Sequence, residues 1–264
     1  IARIGAAELV SVDTETTSLD PMSAQIVGIS LSTEPGHGCY IPLAHSYAGV
    51  PEQLDRDAVL AALRPWLEDP AALKVGQNLK HDARVFDNDG IRLAGIAHAT
   101  LLQSYVLEAH RNHDMDSLAS RHLNRRTITY DEVTGKGASR IGFDQVSLEQ
   151  ASRYAAEDAE VTMHLHRTLW PKVQAEPGLR HVYETIEMPA LRVLQRMERT
   201  GVLIDARLLE IQSEEIGRKL MALEAQVHEA AGQPFNLGSP KQLGEILFER
   251  QGLPVVKKTP SGAP

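Results

Sequence analysis

The 264-residue sequence is 42% apolar and 23% charged, a balance that fits a globular protein of one large domain or two unequal ones. No apolar stretch reaches the ~20 residues that cross a bilayer, and the single cysteine, Cys39, excludes an intrachain disulfide and cysteine-ligated metal centres. A formal charge of −8 is ill suited to gripping phosphates with basic surface alone. Carboxylates that gather divalent cations would reconcile that charge with a phosphate-bearing substrate.

Nothing in the first residues reads as an export signal, and the composition fits a reducing cytoplasm. The chain begins at Ile1 and reads as a piece of a longer protein. Short β-rich runs at 8–14, 26–32 and 39–43 open it, separated by Pro, Gly and Ser turns. Residues 55–68 carry Val59, Leu60, Leu63, Trp66 and Leu67 on one helical face. A further strand is expected at 73–76. Helices follow at 79–88, 97–108 and 115–123, ahead of a polar stretch over 127–143.

Ser147-Leu148-Glu149-Gln150 has the form of a capping box and starts a helix expected to stop at Pro171. After a break at 175–178, helical patterns cover 182–200 and 206–231, with a short one near 241–250. The tail at 257–264 carries Pro and Gly and no periodic pattern, so it is expected to be mobile by itself. Strands first and helices later indicate a mixed α/β layer followed by an all-helical part.

Three stretches carry chemistry. Val12-Asp13-Thr14-Glu15-Thr16 ends an apolar strand, and alternation puts Asp13 and Glu15 on one face. Two like charges that close repel unless a cation holds them, and hard divalent cations prefer carboxylate oxygen. Residues 74–82 pass from a strand through Gly76, Gln77 and Asn78 into a helix presenting Asp82. Tyr154 and Asp158, four apart, share a face of the helix that Ser147 starts, where small Ala155 and Ala156 permit close packing. Alone, each has an ordinary explanation: a solvated strand end, an acid at a helix start, an interfacial tyrosine.

Taken in order, the three motifs resemble those of the DEDDy 3′-5′ exonucleases. The wider sequence is similar to the proofreading domain of the bacterial family A DNA polymerase I family, through runs such as 27–31, 40–45, 113–119, 127–130 and 186–189. That resemblance implies a ribonuclease H-like mixed sheet flanked by helices over 1–178, then over 179–264 an all-helical start of the polymerase thumb region, with the polymerase motifs absent.

It also implies that Asp13, Glu15 and Asp158 bind one magnesium or manganese ion, and that Asp13 and, through water, Asp82 hold a second. Tyr154 orients the attacking water. For a single-stranded 3′ end of DNA, the resemblance points to Leu19 as a wedge, Tyr130 as a stacking face, and Gln77, Asn78 and His81 as polar contacts. His81 stands where many relatives have tyrosine. Arg121, Arg125 and Arg126 form a basic group suited either to phosphate or to a solvated helix end.

The implied protein is a monomer of the bacterial cytoplasm and nucleoid, with the remainder of a polymerase domain as its partner and no membrane. Two other readings share these residues. One is an RNA-trimming exonuclease of the same superfamily. The other is a catalytically silent exonuclease-fold scaffold.

Overall fold

The computed structural model describes residues 1–258 and 262, so the expected tail lies outside the described residues at 259–261, 263 and 264. Two compact units form, Ile1–Gly201 and Val202–Pro264.

The first is built on a mixed five-stranded sheet of order β3-β2-β1-β4-β5. A short helix, α1 (Ala2–Ala6), precedes β1 (Val10–Thr16), which pairs antiparallel with β2 (Ile26–Glu34). Pro35 and Gly36 (φ 85°) make the tight connection into the antiparallel β3 (His37–Pro42). Helix α2 (Arg56–Leu67) is capped by Asp55, whose carboxylate accepts from the Ala58 amide at 2.8 Å. Its Leu60, Leu63, Trp66 and Leu67 are buried.

β4 (Lys74–Gly76) then runs parallel to β1, with α3 (Leu79–Asn88) leading on to β5 (Ile96–Ala99), parallel to β4. Helices α4 (Thr100–Glu108), α5 (Met115–Leu123) and α6 (Tyr130–Thr134) follow. The long α7 (Leu148–Ala175) packs across β1, β2 and β3. The approach is tight at Gly38, where an added Cβ would lie 1.9 Å from the Ala156 carbonyl oxygen. A glycine on the strand and alanines on the helix therefore let the helix reach the sheet.

Four expectations change. Residues 96–99 form β5 rather than the first turn of a helix: Lys74, Val75 and Gly76 of β4 pair with them before the chain turns at Thr100. The stretch 127–143 contains α6, whose Thr129 and Glu132 form a reciprocal capping box. α7 runs through Pro171, because Leu169 and Val173 on either side are fully buried and hold that turn to the core. It ends at Glu176, which Pro177 holds in extended backbone (φ −110°, ψ 101°). Finally, the first unit continues past 178. After α8 (Pro177–Val182) and a π-helical turn at Tyr183–Glu187, helix α9 (Met188–Thr200) still packs on this unit. Tyr183 is buried, with its hydroxyl accepting from the Ala99 amide at 3.0 Å, and Met188 and Leu191 are buried too.

The second unit holds α10 (Ala206–Ala231) and α11 (Pro240–Gly244), which passes into a π-helical turn over Glu245–Arg250. Among the described residues no helix is long and apolar enough to cross a membrane.

Candidate active site

The pleat of β1 sends Val10 and Val12 into the core and turns Ser11, Asp13 and Glu15 to the opposite face. α7 crosses β1 and presents Asp158 there. Asp13, Glu15 and Asp158 each offer an oxygen, and these oxygens lie within 4.8 Å of one another. Glu15 and Asp158 are buried, and Asp13 is half-buried. Glu15 Oε1 and Asp158 Oδ1 are shielded from solvent with no hydrogen-bond partner.

Burial pushes all three carboxyls well above the usual carboxylate range, and their mutual repulsion adds to it. After burial, the largest contribution at Asp13 comes from Asp82, and at Glu15 and Asp158 from Asp13. Buried acids that repel, with oxygens left unpartnered, suit a hard divalent cation, whose charge would replace the missing protons.

Asp82 lies beside this trio and outside it. β4 ends at Gly76, so the edge of β1 beyond Ser11 has no strand partner. The first turn of α3 fills the gap. Asp82 Oδ1 accepts from the Thr14 amide at 3.0 Å and from the Thr14 hydroxyl at 2.6 Å. Gly76 makes the approach possible, since a Cβ there would lie 2.5 Å from Leu79 and 3.0 Å from the Val12 carbonyl. Burial raises the Asp82 pKa, while the Thr14 bonds and nearby His81 pull it back. One of its oxygens is thus held by protein.

Tyr154 sits one turn before Asp158, half-buried, with the rings of Phe143 and Tyr130 at 5.8 and 6.3 Å. Burial and then the negative charges of Asp158, Glu15 and Asp13 drive its pKa far above that of a free phenol. Those surroundings favour the neutral phenol, a hydrogen-bond donor.

The remaining residues named from the sequence divide. Leu19 is 84% exposed on the loop after β1, Asn78 is exposed before α3, and His81 is half-buried beside Asp82. Gln77 is spent inside the protein: its amide nitrogen donates to the His113 carbonyl at 2.7 Å and its oxygen accepts from Thr100. It therefore shapes the turn before α3. Tyr130 is half-buried with its ring nearly parallel to Phe143 at 6.2 Å.

The basic group is largely neutralised. Arg121 pairs with Glu108 at 3.0 Å, and Arg126 with Glu132 at 2.6 Å. Arg125 bridges Glu157, at 2.7 Å, and Glu160. Those two glutamates also accept from the Ile128 and Gly36 amides, tying the flanking loops to α7 next to Asp158.

Sequence reasoning passed over Thr14 and the pair Tyr40–His45. A threonine on the apolar face of β1 was the available signal for the first. Gly28 was the signal for the second, because the Tyr40 side chain lies over it, with its hydroxyl 2.2 Å from an added Cβ. Tyr40 donates to His45 Nε2 at 2.7 Å, while His45 Nδ1 donates to the Val146 carbonyl at 3.1 Å.

Residues 1–174 match the family model described as 3′-5′ exonuclease. The chain belongs to that exonuclease family. Residues 206–264 match the model of DNA polymerase family A. Among relatives of this exonuclease, the DNA polymerase I of Pseudomonas aeruginosa is 55% identical across 100% of this chain and 29% of its own length. That of Rhizobium leguminosarum is 41% identical across 99% and 27%. The chain spans less than a third of either relative. In fold, the exonuclease is similar to a solved structure described as the POL domain of Pol1 from M. smegmatis in complex with DNA primer-template and dNTP. The TM-score is 0.78 at 23% identity, over 99% of this chain and 41% of that one.

Proposed function

We propose that this chain removes mismatched nucleotides one at a time from the 3′ end of DNA, as the editing module of a bacterial DNA polymerase I-type enzyme acting in replication and repair. The observation that carries the reading is the convergence of Asp13, Glu15 and Asp158, two of them with unpartnered buried oxygens, beside an Asp82 fixed by Thr14.

Asp13, Glu15 and Asp158 would hold one magnesium or manganese ion, with Asp13 and, through water, Asp82 holding a second. Such ions supply an activated water and stabilise the leaving 3′ oxygen in an in-line displacement at phosphorus. The protein's own groups do the rest. Tyr154 donates a hydrogen bond that orients the attacking water and, with its raised pKa, takes no proton from it. Asn78 and His81 contact the terminal nucleotide, and Leu19 wedges between the last bases. Tyr130 extends its stack on Phe143 to a base, which tolerates any sequence.

In this reading the nuclease chemistry lies within residues 1–178, and 179–264, whose α8 and α9 still pack on the first unit, begin a polymerase domain whose remainder is the partner. The protein works as a monomer at the nucleoid. Asp13→Ala is expected to abolish metal-dependent release of mononucleotides from single-stranded DNA while circular dichroism stays unchanged. Undiminished turnover would show the site to be misplaced. Faster degradation of RNA than of DNA of the same sequence would replace the editing role with RNA trimming.

A further inference from the structure

Helix α9 falls between the two matched segments, 1–174 and 206–264, yet it grips the helix that carries Asp82. Glu198 accepts from Lys80 Nζ at 2.5 Å and from Arg84 Nη1 at 2.6 Å. Lys80 and Arg84 lie one turn apart on one side of α3, and Asp82, midway between them in sequence, projects from the other side to Thr14.

One residue further on, Arg199 donates to Asn88 Oδ1 at 2.7 Å and to the Asp87 carbonyl at 3.4 Å, at the far end of the same helix. Asn88 in turn donates to the carbonyls of Pro21 and Ala24, on the loop that bears Leu19. α9 is itself anchored by buried Met188 and Leu191 and by Arg192, which donates to the Ile96 carbonyl at 3.4 Å.

We propose that Glu198 is a positioning residue of the nuclease site, holding α3 through Lys80 and Arg84 so that Asp82 stays seated on Thr14. The catalytic consequence rests on the function proposed above; the structural one does not. Exposed ion pairs contribute little, but this one is sheltered. Arg84 is only 15% and Glu198 33% exposed, and Arg84 Nε is buried with no partner of its own. Glu198 is the single carboxylate paired with either cation among the described residues. Removing it leaves two like charges a turn apart on α3 and takes away the ion pairs that tie them to α9. The nuclease therefore draws on a helix beyond the family-matched segment.

The test compares the full chain with its Glu198→Ala and Glu198→Gln variants. Amide hydrogen exchange without metal reads the Thr14 amide, whose partner is Asp82. Hydrolysis of a single-stranded oligonucleotide with manganese reads kcat and KM separately. Glu198→Ala is expected to speed Thr14 exchange and lower kcat roughly 3- to 30-fold with KM unchanged, the size of effect that a small displacement of a catalytic group produces. Glu198→Gln, which keeps an acceptor, is expected to recover most of both.

Unchanged Thr14 exchange in Glu198→Ala overturns the proposal. So does faster exchange with unchanged kcat, which would reduce the pair to a packing contact. Asp82→Asn separates the two readings: wild-type turnover in that variant sinks the proposed function, while the exchange result still decides whether Glu198 holds α3.

Discussion

Two helices of this chain are nearly equal in length, α7 with 28 residues and α10 with 26, and they do opposite things. α7 buries residues on several sides, from Ala151 to Val173, and brings Tyr154 and Asp158 to the carboxylates of β1. α10 buries none of its residues, and Leu208, Leu209, Ile216, Leu220 and Met221 all stand exposed on it. Both sequences read as strong amphipathic helices. Periodicity thus reports that a face exists and says nothing of what covers it. The covering surface comes from elsewhere in the chain, and for α7 it is a sheet whose glycines allow close approach.

The comparison breaks first at that approach. Gly38→Val would place its side chain on the Ala156 carbonyl and force α7 off β3. A loss of about 3 kcal/mol or more in urea unfolding is expected, together with loss of the assembled carboxylates, since overpacking a tight contact shifts backbone. A variant as stable as the parent would show that the helix has room to move.

Acid should sharpen the contrast next. His166 and Trp170 of α7 pack their rings against His98 of β5 at 4.4 and 4.6 Å, and burial holds the pKa of His166 down to about 3 and that of His98 to about 4. His166 Nδ1 accepts from the Gln103 amide at 2.9 Å, which favours the neutral ring. A folded-state pKa below the unfolded ~6.5 means that the unfolded chain binds more protons, so stability is fully present above about pH 6.5 and falls as pH drops toward 4. His166→Gln is expected to flatten that slope by about 1–3 kcal/mol in chemical denaturation between pH 7 and pH 4. A slope identical to the parent's would place the acid sensitivity elsewhere.

The smallest effect belongs to α10. Leu220→Ser, on its exposed face, is expected to change the stability of this chain by no more than about 0.5 kcal/mol. A larger loss would mean that the face is covered in solution.

The local geometry of the candidate site was legible. That Asp13 and Glu15 share a face follows from strand alternation, while their grouping into a site came from the resemblance. Tyr154 and Asp158 follow from helical spacing behind the Ser147 cap, whose hydroxyl does accept from the Gln150 amide. Less legible were contacts that join distant segments. A threonine on the apolar face of β1 hints at a polar partner but not that its amide and hydroxyl will meet an acid 68 residues away, because the gap that α3 fills exists only once β4 stops short.

β5 was hidden because its four residues run into α4 without a turn residue. The extension of the first unit to Gly201 was hidden because Tyr183 finds its pocket between elements far apart in sequence. The basic group at 121–126 misled for a related reason. Sequence shows its charges, while the partners that cancel them, Glu108, Glu157 and Glu160, lie on other helices.

In the proposed nuclease, divalent cations hold buried, mutually repelling carboxylates together. Calorimetric titration of the full chain with manganese, alongside Asp158→Asn, tests it most directly. Binding that is stronger at pH 8 than at pH 6, because protons compete for the same oxygens, and that is lost in the variant, is the predicted result. Manganese binding that is absent, or equally strong in Asp158→Asn, would contradict it.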